Sequence, residues 1–440
     1  MTDVKHLWQG EWIDGAEAGR RLADLDTFAA AARQLPLRTE AVIEACTALA
    51  AGLAGAASAD RDLLAAELGR SGASEQETAA VLGDLAGLLR RDALERVLTA
   101  QLGTTSPATP VPAGSGAAEY WAPVGMVAHV LPGNVATAGP WSLVEGLLTG
   151  NLNVAKTTGG SRFVQLFAEA LAGHDPSGAV AALTIVLSFP SRNRDWLRTV
   201  CQAADSVVVW GTEEAVAGVA EHVGPGRRLV AWGPKISFAY LTEAAWSDPG
   251  ILADLARSVC RHDQQACTSP QALYLDTEDD DQLFAVAERL AEALAEAAAG
   301  LPQPTPTLQE RAEITTTVTV ARLEQHLGHG RVLADPEGRW RVLADRRSEL
   351  AVSPLFRTVW VRPLPRKRIP AVLRPLRSYL QTVGLAAAPG ETGVLADEFV
   401  RAGALRVTAV GAMSDSYPGE PHDGLLALQQ HSRRVLVPRV

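Results

Sequence analysis

Between residues 119 and 232, short apolar runs alternate with segments of helical length, and this rhythm constrains the fold more than any other feature of the chain. Residues 124–131, bounded by Pro123 and Pro132, read as a buried strand, and 153–156, 183–189, 206–210 and 228–232 repeat the pattern. Helical segments fall between them at 138–148, 163–172, 195–203 and 212–222. A strand that is apolar on both faces needs cover on both sides, and the crossover helices of a parallel sheet supply it. The expected architecture is α/β, with ligands beyond the C-terminal ends of the strands.

The flanking regions carry other patterns. Residues 1–105 read as mostly helical, with apolar residues at helical spacing over 38–53 and 74–102, and 103–116 is a turn-rich connector. After the alternating region come a helix over 249–262, a strand at 272–275 and an acidic amphipathic helix over 279–296. Residues 301–307 read as a loop. Strand-like runs follow at 315–320, 341–344, 357–362, 406–410 and 434–437. A chain of 440 residues is long enough for two domains.

Composition removes several classes. The formal net charge is −10 and the basic residues are scattered, so the footprint of a nucleic-acid binder is missing. The triplet Arg366, Lys367 and Arg368 reads as a solvated loop. The acidic cluster over 276–281 reads as a helix start rather than a metal site, and no metal is expected. Cys46, Cys201, Cys260 and Cys267 form no Cys-x-x-Cys pair, which speaks against structural zinc and a disulfide framework. No apolar run reaches the length of a membrane span, and residues 1–13 do not resemble a signal peptide. The expected compartment is the cytoplasm.

Five places could carry chemistry. Cys267 lies in the polar run His262-Asp263-Gln264-Gln265-Ala266-Cys267-Thr268-Ser269-Pro270-Gln271, between a helix and a strand, where a thiolate could act as a nucleophile. Cys46 and Cys201 sit in apolar periodicity and Cys260 reads as packing. Leu131-Pro132-Gly133-Asn134-Val135 ends a strand; Asn134 is either an amide donor to an oxyanion or part of a plain turn. Gly211 and Thr212 open a helix directly after a strand, which suits an anion as well as it suits a simple cap. Lys156-Thr157-Thr158-Gly159-Gly160 suits a ribose or phosphate, or is an exposed turn; it lacks the spacing of a P-loop. His422 is a further candidate, with nothing in the sequence to place it beside Cys267.

Taken in this order, these segments resemble the aldehyde dehydrogenase superfamily, and within it the LuxC-type acyl-CoA reductases of bioluminescence operons. The resemblance runs from about residue 120 to the C-terminus. It rests on residues 129–135, 147–157, 208–213, Gly233-Pro234-Lys235, 263–271 and Val383-Gly384-Leu385-Ala386. It implies two Rossmann-like α/β domains with a helical N-terminal region. The cofactor domain would comprise 1–240, with 383–412 returning to it; 241–382 would be the catalytic domain, and 413–440 a tail with an oligomerisation strand.

By the same resemblance Cys267 is the nucleophile and Asn134 the side-chain donor of the oxyanion hole, with the Cys267 N–H as partner. Lys156 and Thr158 would contact the adenosine ribose, Gly211 and Thr212 the pyrophosphate, and Leu131, Pro132, Gly133 and Gly233 would line the cofactor. Glu349 matches the carboxylate that holds the nicotinamide ribose, although its spacing to Pro354 differs by one residue. A homo-oligomer is the family habit, for which 434–437 could pair with a partner chain's sheet.

Three departures sharpen the expectation. Where hydrolytic relatives hold the carboxylate of a Glu-Leu-Gly-Gly-Lys run, this chain has Ala231-Trp232-Gly233-Pro234-Lys235, so no base is evident for water attack on an acyl-enzyme. Gly159 stands where NAD-preferring relatives hold a Glu, and with Arg162 nearby this favours NADPH. The tail run Pro421-His422-Asp423-Gly424 resembles the reductase branch. The expected reaction is NADPH-dependent reduction of an acyl thioester, from CoA and fatty in character, to an aldehyde. Alternatives are the same chemistry on a carrier protein or an acyl-transferring partner enzyme, an acyl-phosphate reductase, and a non-catalytic nucleotide-binding scaffold.

Overall fold

The computed structural model describes residues 5–55, 58–114, 116–133 and 135–438. It divides into two units, residues 1–233 with 417–440, and residues 234–416.

The first unit is built on a sheet of seven strands: β1 (His6–Trp8), β2 (Glu11–Ile13), β5 (Met126–Val130), β6 (Leu152–Thr157), β7 (Thr184–Ser188), β8 (Ser206–Trp210) and β9 (Arg228–Trp232). Their order is β2-β1-β7-β6-β5-β8-β9. The five from β7 to β9 are parallel, and β1 joins antiparallel to β7. The strand order reverses between β5 and β8, which makes their C-terminal ends the expected place for a ligand. The side chains explain the layering. Ala128, Val130, Val154, Ile185, Val207 and Val209 all pack in one buried cluster with Val144, Leu147, Phe167 and Leu171 of the crossover helices. Val42, Leu49 and Leu53 of the helix Thr39–Ala54 join the same cluster, so the N-terminal helices extend this core.

A second sheet in this unit has three strands, β3 (Val111–Pro112), β4 (Ala117–Pro123) and β17 (Ser432–Pro438), in the order β17-β4-β3. The C-terminal segment is tied into the first unit by polar contacts. Arg228 donates to the carbonyls of Gln429, Gln430 and Ser432, at 3.1, 2.8 and 2.6 Å. Asn151 Nδ2 donates to the His431 carbonyl at 2.9 Å.

The second unit carries the other seven-stranded sheet. Its strands are β10 (Ile236–Leu241), β11 (Pro270–Leu275), β12 (Gly330–Ala334), β13 (Arg341–Asp345), β14 (Thr358–Pro363), β15 (Leu380–Ala386) and β16 (Arg406–Thr408). They lie in the order β12-β13-β14-β11-β10-β15-β16, and all are parallel except β12. Alternation along the strands divides the core. Ala239, Leu241, Leu273, Leu275, Val359 and Val361 face the helices Pro249–Cys260 and Asp280–Ala298. Phe238, Tyr240, Ala272, Tyr274 and Trp360 face the helices Leu308–His326 and Pro389–Ala402.

Several expectations need correction. Residues 315–320 lie inside the helix Leu308–His326, where Thr307 and Glu310 form a capping box and Ile314, Val318 and Ala321 are buried at helical spacing. The β-branched threonines suggested a strand, but Thr315 and Thr316 return their hydroxyls to the carbonyls four residues back. Residues 383–412 do not return to the first unit, because β15 pairs in parallel with β10 and β16 with β15. The division falls at Gly233 rather than 240, and the tail rejoins at Tyr417 rather than 413. The N-terminal hundred residues also contain the hairpin β1–β2, whose three-residue strands are too short to give a period. The segment 434–437 is part of β17, paired in cis with β4.

Behind β5 lies a buried polar network. His129 approaches Ser142 Oγ with Nδ1 at 2.8 Å and Asn153 Oδ1 with Nε2 at 3.0 Å. Asn153 Nδ2 already donates to the Asn151 carbonyl, so Oδ1 accepts, His129 carries its proton on Nε2, and Ser142 donates to Nδ1. Gly146 makes room for Asn153, because a Cβ there would collide with Oδ1. Gly146→Ala would gain up to about 1 kcal/mol in helix propensity but would break this buried network, so a net loss of about 2 kcal/mol is expected in a denaturant titration.

Burial pushes His129 down to about 4 and His431 to about 3, and pushes the Glu145 carboxyl up to about 8. For the histidines, the unfolded chain binds protons first as pH falls below about 6.5, so stability drops between about pH 6.5 and 4. Glu145 acts in the opposite sense, since it stays protonated in the fold and its ionisation is gained only on unfolding between about pH 4.5 and 8. Two histidines outweigh one glutamate in the acid, so these groups together put the stability maximum near about pH 6.5, which urea titrations at several pH values would locate.

Candidate active site

The C-terminal ends of β5, β6, β8 and β9 bring together most of the residues expected to hold a cofactor. Leu131, Pro132 and Gly133 follow β5, Lys156 and Thr158 stand at the end of β6, Gly211 and Thr212 follow β8, and Gly233 follows β9. Parallel registry places them side by side. Leu131 N donates to the Lys156 carbonyl at 3.0 Å. A Cβ on Gly133 would sit 3.2 Å from Thr158 Oγ1, so glycine lets the β5 loop lie against the β6 loop. Thr212 caps the helix Glu213–Ala220 through its side chain, which accepts from Ala215 N. Asn134 lies outside the described residues.

Lys156 is the electrostatic centre of this edge. Its side chain is buried and donates to Ser191 Oγ at 2.9 Å, with the ammonium 5.8 Å from the centre of the Phe189 ring. Among the described residues it forms no ion pair, and burial pushes its pKa below the ordinary lysine range. A buried cation without a carboxylate is stabilised by an anionic or hydroxyl-rich ligand. At Gly159 a Cβ would meet open space, so the edge has room there. These features fit a dinucleotide: Lys156 and Thr158 would hold its ribose and Gly211 and Thr212 its phosphates.

Two neighbours of this edge were not placed by the sequence: Glu67 carried no signal, and His422 was a candidate without a location. Buried Glu67, from the N-terminal helix Ala59–Arg70, accepts from Arg162 N at 2.6 Å and Ser161 Oγ at 3.3 Å. It thereby fixes the loop after Gly160, although it lies 95 residues from Arg162. His422 packs against Trp210 and Trp232, with ring centres 5.1 and 4.6 Å away. His422 therefore stands at the C-terminal ends of β8 and β9.

Cys267 belongs to the second unit. It sits in the loop between the helix Pro249–Cys260 and β11, at the N-terminal edge of that sheet. Its carbonyl accepts from Ser237 Oγ at 2.7 Å, and Ser237 in turn accepts from Thr382 N at 3.1 Å. Cys267 is exposed, whereas Cys46, Cys201 and Cys260 are buried. Burial raises the Cys46 thiol far above its normal value, and holds Cys201 at about 12 and Cys260 at about 11. The backbone before Cys267 is unusual: His262, Asp263 and Gln264 are all left-handed, with φ of 50, 50 and 68°. Each such residue costs roughly 1–2 kcal/mol, so the surrounding contacts must hold the turn in place.

Glu349 is exposed, and its carbonyl accepts from Tyr274 Oη at 2.8 Å and Arg362 Nη1 at 3.1 Å. That anchors it beside the C-terminal halves of β11 and β14, while the Cys267 loop enters at the opposite end of β11. The segment comes back toward that loop only at Ser353, whose N–H donates to Gln271 Oε1 at 3.1 Å. Among the described residues no cluster of His, Cys, Asp or Glu could hold a metal, and no single helix is long and apolar enough to cross a membrane. The acidic run caps the helix Asp280–Ala298 through Asp279, while Asp276 pairs with Arg366 and Glu278 with Lys367.

The fold is that of the aldehyde dehydrogenase superfamily. A glyceraldehyde-3-phosphate dehydrogenase from Methanocaldococcus jannaschii matches 100% of this chain and 99% of its own at a TM-score of 0.74 and 12% identity. A benzaldehyde dehydrogenase from Corynebacterium glutamicum matches 99% and 98% at 0.71 and 15% identity. Residues 35–434 match the acyl-CoA reductase (LuxC) family, and the chain belongs to it. The long-chain acyl-protein thioester reductase of Vibrio harveyi is 25% identical over 316 residues, covering 71% of this chain and 64% of that protein. Its counterpart in Photorhabdus luminescens is 27% identical over 311 residues, covering 70% of this chain and 62% of that protein. The chain thus spans a little under two thirds of the length of these curated relatives.

A maleimide in stoichiometric amount is expected to label Cys267 alone in the native protein. Peptide mass mapping checks this, with the other three thiols reacting only after denaturation.

Proposed function

We propose that the protein reduces an acyl thioester to an aldehyde with NADPH, through an acyl-enzyme on Cys267. The observation that carries this reading is the exposure of one thiol, on a loop anchored by Ser237, while the other three are buried. The Cys267 thiolate attacks the thioester carbonyl, the oxyanion is held by Asn134 and the Cys267 N–H, and the carrier thiol departs with a proton. A bound nicotinamide cofactor supplies the hydride. The resulting thiohemiacetal on Cys267 then breaks its C–S bond, releasing aldehyde and returning the thiol. The balance is one thioester, one NADPH and one proton giving one aldehyde, one carrier thiol and one NADP⁺.

The run Ala231–Lys235 offers no carboxylate to activate water, which favours reduction over release of a free acid. Gly159, open to solvent where a carboxylate side chain would oppose a 2′-phosphate, supports NADPH over NADH together with Arg162, whose Nε lies 4.0 Å from the Glu67 carboxylate. The acyl donor is read as a CoA ester, fatty in character. The names of the relatives favour a second source, an acyl group carried on a protein or handed over by a partner enzyme. Assembly as a homo-oligomer, in the cytoplasm, completes the reading.

Cys267→Ala is expected to abolish aldehyde formation, and intact mass spectrometry of the wild type with acyl-CoA should show the acyl adduct on Cys267. Aldehyde formation by the alanine variant at an ordinary rate would refute the mechanism. Replacing acyl-CoA by acyl-carrier protein in the same assay identifies the donor. Arg162→Ala is expected to narrow the NADPH-to-NADH ratio of kcat/KM by about tenfold, the worth of one charge-assisted phosphate contact.

A further inference from the structure

Among the described residues, eight that are not glycine adopt positive φ, and six of them form two triplets, His262–Gln264 and Leu355–Arg357. The triplets are distant in sequence, Asp263 and Arg357 being 94 positions apart, yet they are locked to each other. Phe356 N donates to the Asp263 carbonyl at 3.1 Å. Arg357, buried, places Nε 2.8 Å and Nη2 2.6 Å from Asp263 Oδ1. Gln264, also buried, accepts from Thr358 N at 3.0 Å and donates to the Pro270 carbonyl at 2.7 Å. The last bond spans the neck of the loop 265–269, on which Cys267 sits.

We infer that Asp263, Gln264 and Arg357 are positioning residues for the nucleophile: the Asp263–Arg357 pair and the Gln264 bridge hold two strained turns together and so fix the loop that carries Cys267. This rests on the reading of Cys267 as the acylated residue. A turn whose only task was to reverse the chain would be met by glycine, which adopts left-handed φ without penalty. Here six residues with side chains, in two runs of three, are kept in that region, and three of those side chains form the lock itself. Supporting groups of this kind matter because a displacement of about 1 Å at a reacting atom costs on the order of a hundredfold in rate. Asp263 is close enough to Arg357 that neither charge is buried alone, and removing one partner leaves the other uncompensated.

The test uses the full-length enzyme and two conservative variants, Asp263→Asn and Arg357→Lys, with Arg357→Ala as a third. Single-turnover acylation of Cys267 by acyl-CoA, without NADPH, is followed by intact mass, and alkylation of Cys267 by iodoacetamide is followed in parallel. Acylation is expected to slow by about thirtyfold or more in each variant, with the KM for NADPH within about twofold of wild type. Guanidinium ion is expected to restore part of the rate to Arg357→Ala and none to Arg357→Lys, whose side chain still fills the space. Acylation and alkylation within about threefold of wild type in both conservative variants would overturn the inference. So would a loss matched by an equal rise in the KM for NADPH, which marks general damage to the fold. If wild-type Cys267 takes no acyl group while the variants still slow its alkylation, the acyl-enzyme reading fails and the positioning role stands.

Discussion

Parallel pairing of strands that are apolar on both faces is the constraint from which the rest of this structure follows. A strand such as Met126–Val130, buried along its whole length, can satisfy its backbone only through neighbours in the sheet and its side chains only through helices above and below. Polar chemistry is thereby pushed to the strand ends. The two sheets use different ends: the cofactor-type edge lies at the C-termini of β5, β6, β8 and β9, whereas the Cys267 loop precedes β11.

Much of this was legible in the residues. The alternating region marked every strand from β5 to β9, because a buried parallel strand is a short apolar run between turn formers. Lys156 and Cys267 were legible as polar interruptions at strand ends. What could not be read depends on contacts distant in sequence. Nothing local marks Glu67 as the acceptor for the Arg162 backbone, or Arg357 as the partner of Asp263. The helix Leu308–His326 was missed because β-branched propensity at Thr315, Thr316 and Thr317 masked the spacing of Ile314, Val318 and Ala321. The assignment of 383–412 failed for a different reason: a strand's sheet is settled by its pairing partner, and β15 has no mark in its own sequence that names β10.

The two edges also differ in how they treat charge. At the cofactor-type edge the ammonium of Lys156 is kept in an apolar setting, with the Ser191 hydroxyl as its hydrogen-bond acceptor, which suits a ligand that arrives with negative charge and leaves again. Around the Cys267 loop the charges are paired within the protein, Arg357 with Asp263, which holds the loop in shape without help from a ligand.

The route of the chain has a consequence for biosynthesis. The second unit is inserted between Gly233 and Tyr417 of the first, and the last residues of the chain provide acceptors for Arg228 and Asn151 and the edge strand beside β4. A ribosome emits the first unit's main sheet early, yet those side chains wait for their partners while the whole inserted unit is translated. The inserted unit, contiguous in sequence, has all its strands available as soon as residue 416 emerges. It can therefore be complete while the unit whose sequence brackets it is still open.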